Sequence, residues 1–304
     1  MTKIISKEAI KRRQNWVAKI GKLSGNFAQN AESLDDELNK EIKKFGTDAL
    51  IDHLRLCGNI PESYGHDTSE EKLYSKYTDS LLCSAYKAIG LKSVVLEERV
   101  DVADVEGFAQ KFSFVADAKA FRLSRTAKNQ KDFKVQAMDS WKHGKPFAMV
   151  VCPIYQLPSR TSQIYQQAIT RNVCVFTYSH LALLIKYAQE EGNSKAENLL
   201  HKIFKIIPTM NPSKSAVDYW IGLNKTILNQ SKIIMDIWQS EKLVASESIE
   251  ISKKEALKFL ASKREKIMRM SHDEALKELI KASKIDSKIK VINKISDNGL
   301  FGLK

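Results

Sequence analysis

The sequence predicts an α/β fold carrying a helical C-terminal subdomain. Three observations predict it: helical periodicity over residues 1–90, a change near Ser93 to short β-branched and aromatic runs, and a return to helical spacing beyond about Asn193. In the first region Ile10, Trp16, Val17 and Ile20 line one side of a helix, and Leu50, Ile51 and Leu54 mark a second. Residues 70–89 read as a third, with Thr68 and Ser69 as its caps and Gly90 as its stop. Residues 94–96, 112–118, 147–152 and 173–178 are then of strand length and composition. Between the last two, residues 159–172 have the length and polarity of a crossover helix, which makes a βαβ unit. Ser179 is expected to cap a helix running through Leu181, Leu184 and Ile185.

Pro208 and Pro212 break the chain before helices that carry Ile227, Ile233, Ile234 and Ile237. Over 240–295 the repeated Lys and Glu read as a solvated, surface-exposed face. The expected division is 1–192, a helical N-terminal region plus an α/β core, and 193–304, a helical subdomain packed on the same core.

Composition narrows the partners. Lys and Arg outnumber Asp and Glu by 49 to 36 in 304 residues, a formal net charge of +13, so Coulomb steering favours a polyanion. Nucleic acid fits better than an anionic membrane surface. Cys57, Cys83, Cys152 and Cys174 lie far apart in apolar segments with no C-x-x-C pair, which argues against zinc. They read as buried free thiols of a reducing compartment, the cytoplasm. The N-terminus turns basic and polar too soon for a signal peptide, and no stretch reaches the roughly 18 apolar residues a spanning helix needs.

The chemistry concentrates in LEERVDVADVEGFAQKFSFVADAKAFRLSRTAKNQKDFK, residues 96–134. Phosphodiester hydrolysis needs a divalent cation held by hard oxygens, so carboxylates must converge beside a positive charge that offsets the charge growing on phosphorus. Residues two apart on a strand face the same way, so Asp117 can bind metal while Lys119 faces the same phosphate. Asp104 can add a second carboxylate from a neighbouring strand or turn. Acidic-x-Lys triplets also occur at Glu41, Glu70, Asp132 and Asp286, but only Asp117-x-Lys119 ends an apolar strand-like run. A strand-end salt bridge is the competing explanation of that pair.

Arg122, Arg125, Lys128, Lys131 and Lys134 follow at a density that suits phosphate contact. Among them Asn129 can bond adenine, Lys131 can donate to guanine and Asp132 can accept from cytosine, so the trio can read an A-G-C string. The plainer alternative is that Asn129 is a turn residue and Asp132 a first-turn helix residue favoured by the dipole.

The stretch VADAKAFRLSRTAKNQKDFK, residues 115–134, resembles the catalytic and recognition segment of HindIII-type restriction endonucleases. Weaker similarity runs from EKLYSK at Glu71 through LEERVDVADV and SQIYQQ to Leu184, while the residues before about 60 and after about 193 match poorly by eye. The resemblance implies a restriction-endonuclease-like mixed β-sheet flanked by helices, of the PD-(D/E)-x-K nucleases. It further implies Mg²⁺ dependence, homodimeric action on a palindrome, cleavage of A/AGCTT to four-base 5′ overhangs, and a cognate DNA methyltransferase as companion.

Carried onto this chain, the resemblance places metal at Asp104 and Asp117, with the Ala118 carbonyl as a neighbour, and the catalytic ammonium at Lys119. Glu97 is a further acidic candidate, and Asn129, Lys131 and Asp132 fall at the base-reading positions. Ala103 stands where the family's name-giving proline precedes the first acid; proline supplies backbone shape only, so no ligand is lost. The other reading is a non-catalytic, sequence-specific DNA-binding protein, which explains the charge equally well. Against it stand the two acids, which are costly beside a DNA backbone unless metal chemistry requires them. Whether the C-terminal helices form the dimer contact or clamp DNA stays open from sequence, as does any role of the six histidines.

Overall fold

The structure, a computed structural model, describes residues 4–96, 102–125 and 130–293, with the side chains of 130 and 131 left out. Four helices come first: α1 (Lys7–Ile20), α2 (Phe27–Phe45), α3 (Thr47–Leu56) and α4 (Ser69–Ala88). Caps explain where they begin. Ser6 accepts from the Ala9 amide, and Asn26 accepts from those of Ala28 and Gln29, satisfying amides that the helix leaves without partners. Thr68 stands at the α4 cap position, but its hydroxyl donates to the Gly65 carbonyl instead of capping, and Ser69 is already helical. Gly90 ends the turn after α4 with φ 93°, which a glycine adopts without steric cost.

The sheet then forms from β1 (Lys92–Val95), β2 (Val105–Phe108), β3 (Ser113–Ala118), β4 (Phe147–Cys152) and β5 (Val173–Thr177), in the order β1-β2-β3-β4-β5. The first three strands are antiparallel and the last three parallel, so the sheet is mixed, as expected. β4 and β5 are buried at every residue, which is why they read as continuous apolar runs and not as alternation. The crossover α7 (Gln163–Thr170), capped by Ser162, completes the expected βαβ unit. β2 is a strand that sequence left open as strand or turn; only four residues long and containing Gly107, it carries little β signal. Two short helices, α5 (Gln130–Phe133) and α6 (Val135–Ser140), lie between β3 and β4.

Thr177, not Ser179, caps α8 (Tyr178–Glu191): its hydroxyl accepts from the His180 amide, so β5 ends one residue earlier than predicted. The side chain two positions earlier won because β5 runs directly into the helix. α9 (Asn193–Ile206) and α10 (Ala216–Leu228) follow, separated by a 3-10 turn at Ile207–Thr209 that holds Pro208. Next come the 37-residue α11 (Lys232–Met268), α12 (His272–Ala282) and α13 (Ile285–Asn293).

The chain divides into two compact units, Met1–Ala256 and Leu257–Lys304. Within the first, α11 is docked along one side, while the opposite side stays exposed as the charge pattern suggests. Glu241 pairs with Arg55 and Lys186, and Glu255 accepts two bonds from Arg13, so part of the Glu-rich pattern faces inward. Arg13 is itself buried and also donates to Leu56 O, Tyr74 Oη and Asn59 O, which leaves none of its guanidinium nitrogens idle. All four cysteines are buried and free. Among the described residues no helix is long and apolar enough to cross a membrane.

His180 gives this unit a pH response. Its ring is buried between Trp220 and Trp238, with Thr177 and Asn224 on its nitrogens, and burial pulls its pKa down to about 4. The unfolded chain takes up that proton near 6.5 but the folded chain only near 4, so folding stability falls as pH drops through this window. His180→Gln is expected to flatten the fall in thermal midpoint between pH 6.5 and 4, by about 2–4 kcal/mol of pH-dependent stability at most. An unchanged slope in calorimetric scans would refute the assignment.

Candidate active site

β3 is the central strand, and its C-terminal end carries the centre. Asp117 is 0% exposed. The Lys119 amide donates to the Val151 carbonyl at 2.7 Å, so strand pairing continues past Ala118 and Lys119 stays on the Asp117 side. The Lys119 ammonium, 13% exposed, pairs with Asp117 Oδ2. In the antiparallel register Val105 faces Ala116; continuing it by one residue sets Asp104 opposite Asp117. Asp104 Oδ2 accepts from the Ala118 amide at 3.3 Å, and its carbonyl accepts from Leu96 at 2.9 Å, which ties it to both neighbouring strands.

A third acid, not anticipated from sequence, comes from α4. Asp79 is buried, with Lys76 Nζ 3.1 Å away one turn earlier. Burial pushes its carboxyl up to about 7 against the pull of Lys76, and the negative charge of Asp117 adds to the rise. Asp104 is raised well above the carboxylate range by burial, then by Asp117 and Asp79. Burial works against the Lys119 charge, but Asp117, Asp104 and Asp79 outweigh it, so that ammonium is held more firmly than an ordinary lysine. One signal pointed to Asp79: it is the sole acid between Glu71 and Glu97, just before the apolar Leu81-Leu82-Cys83 run of α4.

Both Asp117 oxygens are buried, and among the described residues the Lys119 ammonium and the Asp104 carboxyl are what face them. Orphaned carboxylate oxygens beside a carboxyl that burial keeps protonated form a hard-oxygen donor set, and a divalent cation is the species that satisfies it. A buried strand-end salt bridge alone does not account for Asp104 and Asp79 gathered beside the Asp117–Lys119 pair.

A different group, His66, Asp67 and Glu71, has ligand atoms within 4.8 Å of one another. It is largely exposed at the start of α4, and Arg122 already pairs with Glu71 at 3.1 Å, so it is not the centre. Arg122 also donates to the Gly65 carbonyl at 2.7 Å and is 15% exposed, which makes it a clamp inside the protein as well as a cation of the basic segment. Arg125 pairs with Asp132. Glu97, Lys128 and Asn129 lie outside the described residues, and Lys131 is described only in its backbone, on α5.

A model of the HindIII restriction endonuclease family matches residues 14–296. The chain belongs to that family. The Type II restriction enzyme HindIII of Haemophilus influenzae is 32% identical over 285 residues, covering 91% of this chain and 92% of that protein. The match therefore reaches both ends, including helical regions whose surface residues obscure it by eye. Family membership makes the chain a site-specific nuclease acting on DNA.

Two outcomes follow from this geometry. Because Asp79 keeps its proton to about pH 7 when folded but loses it near 3.8 when unfolded, its stability contribution falls as pH rises through that window. Asp79→Asn is expected to raise the thermal midpoint of the metal-free protein at pH 8 by several degrees and to change it little at pH 3; a loss at pH 8 would refute the account of a carboxyl raised by burial. Arg122→Ala should destabilise the fold by about 1–2 kcal/mol in urea titration, as expected for removing a charge-assisted bond. An unchanged urea midpoint would make Arg122 a surface cation only.

Proposed function

We propose that the chain cuts both strands of a palindromic duplex, at A/AGCTT, as a Mg²⁺-dependent homodimer that leaves 5′-phosphate four-base overhangs. The observation that carries this reading is the strand end where Asp117, Lys119 and the cross-strand Asp104 converge beside a basic segment. Asp104 and Asp117 are the residues that would hold Mg²⁺, with the Ala118 carbonyl beside them and Asp79 as a third acid. The ion, when bound, supplies Lewis-acid polarisation of the scissile phosphate and a more acidic water.

Lys119 orients that water and offsets the charge growing on phosphorus, from a position where Asp117 and Asp104 keep it protonated. Arg122, Arg125 and Lys128 provide the phosphate-side contacts, while Asn129, Lys131 and Asp132 read base edges in the major groove. Glu97 stands near enough in sequence to Asp104 to serve as an additional acid. A palindrome requires two centres related by a two-fold axis, hence two copies. The enzyme would work in the cytoplasm, where a companion DNA methyltransferase protects the cell's own sites.

Purified protein incubated with plasmid DNA and Mg²⁺ should give discrete fragments whose sequenced ends read AGCT overhangs; random ends or none would sink the site assignment. Asp117→Asn should retain specific binding in a gel-shift assay and cut slower by orders of magnitude. Full activity in that variant would remove Asp117 from the centre. Cation binding should also release protons at pH 7, since Asp104 and Asp79 must give theirs up, so affinity rises with pH. Titration calorimetry in buffers of different ionisation enthalpy measures that release directly.

A further inference from the structure

The cutting centre has an open side. α2, α4 and β1 enclose a cleft of about 1140 Å³. α4 supplies one wall with Lys72, Lys76 and Ser80, and Leu96 lies at the end of the β1 wall. Two contacts place this part of the cleft beside the acids. The Leu96 amide donates to the Asp104 carbonyl, and Lys76 Nζ lies 3.1 Å from Asp79 Oδ2. Asp79 in turn is within electrostatic reach of Asp117 and Lys119. A DNA strand that brings a phosphate to these acids through the cleft therefore passes Lys76.

Lys76 is more than a counter-ion. The Asp79 side chain is 4% exposed, but that of Lys76 is 35% exposed, against 13% for Lys119. A cation whose task ended at Asp79 would gain most by being covered with it, since solvent weakens an ion pair. A long, part-solvated stem keeps the ammonium at the cleft instead. Lys72, exposed one turn earlier on the same helix face, lines the same wall about 6 Å away along the axis. The facing wall carries Glu32, Asp35 and Asp36 of α2, which repel a phosphate backbone and leave the α4 side as its track. Within the segment EKLYSK, Glu71 pairs with Arg122 and Tyr74 accepts from Arg13, so Lys72 and Lys76 are the members whose charge lines the cleft.

We infer that Lys76 is a substrate-binding cation whose ammonium holds the backbone phosphate next to the scissile one and so lays the strand over Asp117 and Lys119. The inference rests on the nuclease reading for what enters the cleft, and adds to it a contact on α4, apart from the basic segment that follows β3. An ammonium has three donors, so Lys76 can keep Asp79 while it turns another to a phosphate oxygen. A contact of this kind gives affinity without regard to base sequence. It forms on binding, before any chemistry, and so is measurable without metal.

The test measures binding of the full chain in EDTA to two short fluorescent duplexes, one holding AAGCTT and one lacking it, from about 0.05 to about 0.2 M salt. Lys76→Met should weaken both about tenfold and lower the slope of log affinity against log salt by about 1. Lys76→Arg should restore the slope. Because Lys76→Met strands the Asp79 carboxyl, a second variant combines it with Asp79→Asn and so removes both members of the pair. That double variant should show the lower slope as well, whereas Asp79→Asn alone should keep the wild-type value. With Mg²⁺ and plasmid, Lys76→Met should raise KM about tenfold, as expected when a binding contact is lost.

A salt slope that ignores Lys76→Met, or one that Lys76→Arg does not restore, would overturn the inference. A fall in kcat with KM and slope unchanged would do the same, because Lys76 would then serve Asp79 alone. So would weakening confined to the AAGCTT duplex, since a phosphate contact is blind to sequence. Failure of the nuclease reading looks different: a wild type that leaves plasmid whole, while Lys76→Met still lowers the slope, sinks that reading alone. A wild type that cuts, with a slope indifferent to Lys76, sinks only this inference.

Discussion

Everything in the candidate site follows from crowding three carboxyl groups beside Lys119, with only Lys76 among the described residues as a second cation, in a largely buried place. Burial, and then the like charges of their neighbours, raise Asp79 and Asp104, while Lys119 pairs with Asp117. The register of β2 on β3 forces Asp104 opposite Asp117, and α4 brings Asp79 in from outside the sheet. Asp79 and Asp117 sit on α4 and β3, and Asp104 directly precedes β2, so the packing of these elements holds the three together. Such a cluster is a standing cost to folding, and a cation entering among these oxygens turns that cost into affinity.

The frame that holds α4 is correspondingly ionic on one side. Arg13 joins α1 to the α3 end, to Tyr74 of α4 and to Glu255 of α11, while Trp16 stacks on Tyr77 one helical turn from Tyr74. Glu41 accepts from Arg12 and from the Trp16 indole and stands against His53. Burial alone would raise its carboxyl, but these contacts outweigh it and hold the pKa down to about 2. A buried, satisfied network of this kind fixes orientation more than it adds stability. Here the orientation it fixes is that of the helix bearing Asp79.

Much of this was legible in sequence, for identifiable reasons. β3, β4 and β5 announced themselves because buried parallel strands are unbroken apolar runs, and Asp117-x-Lys119 stood out because it ends one of them. β2 was not legible: Val105-Glu106-Gly107-Phe108 is too short and too mixed to show a period. Its pairing with β3, which places Asp104, is a long-range fact that no local pattern encodes. Asp79 escaped for a related cause, since a lone acid in a helix reads as a solvated position until the sheet is known to cover it. α11 misled in the opposite sense: Glu241 and Glu255 look like surface charge and are instead partners of Arg55 and Arg13.

The Arg122 clamp has a mechanical corollary. The strand leaving Asp117 is stitched at Phe121 to Asn59 and Gly58, and one residue later to Gly65 and Glu71, so the basic segment that begins at Arg122 starts from the front end of α4. Glu71 and Asp79 are eight residues apart on that helix, about two turns and 12 Å. A helix of that length is stiff, so the position of the β3 exit and the position of Asp79 are fixed by the same element. The segment that follows Asp117 and the helix that carries Asp79 are therefore joined at two successive residues rather than packed independently.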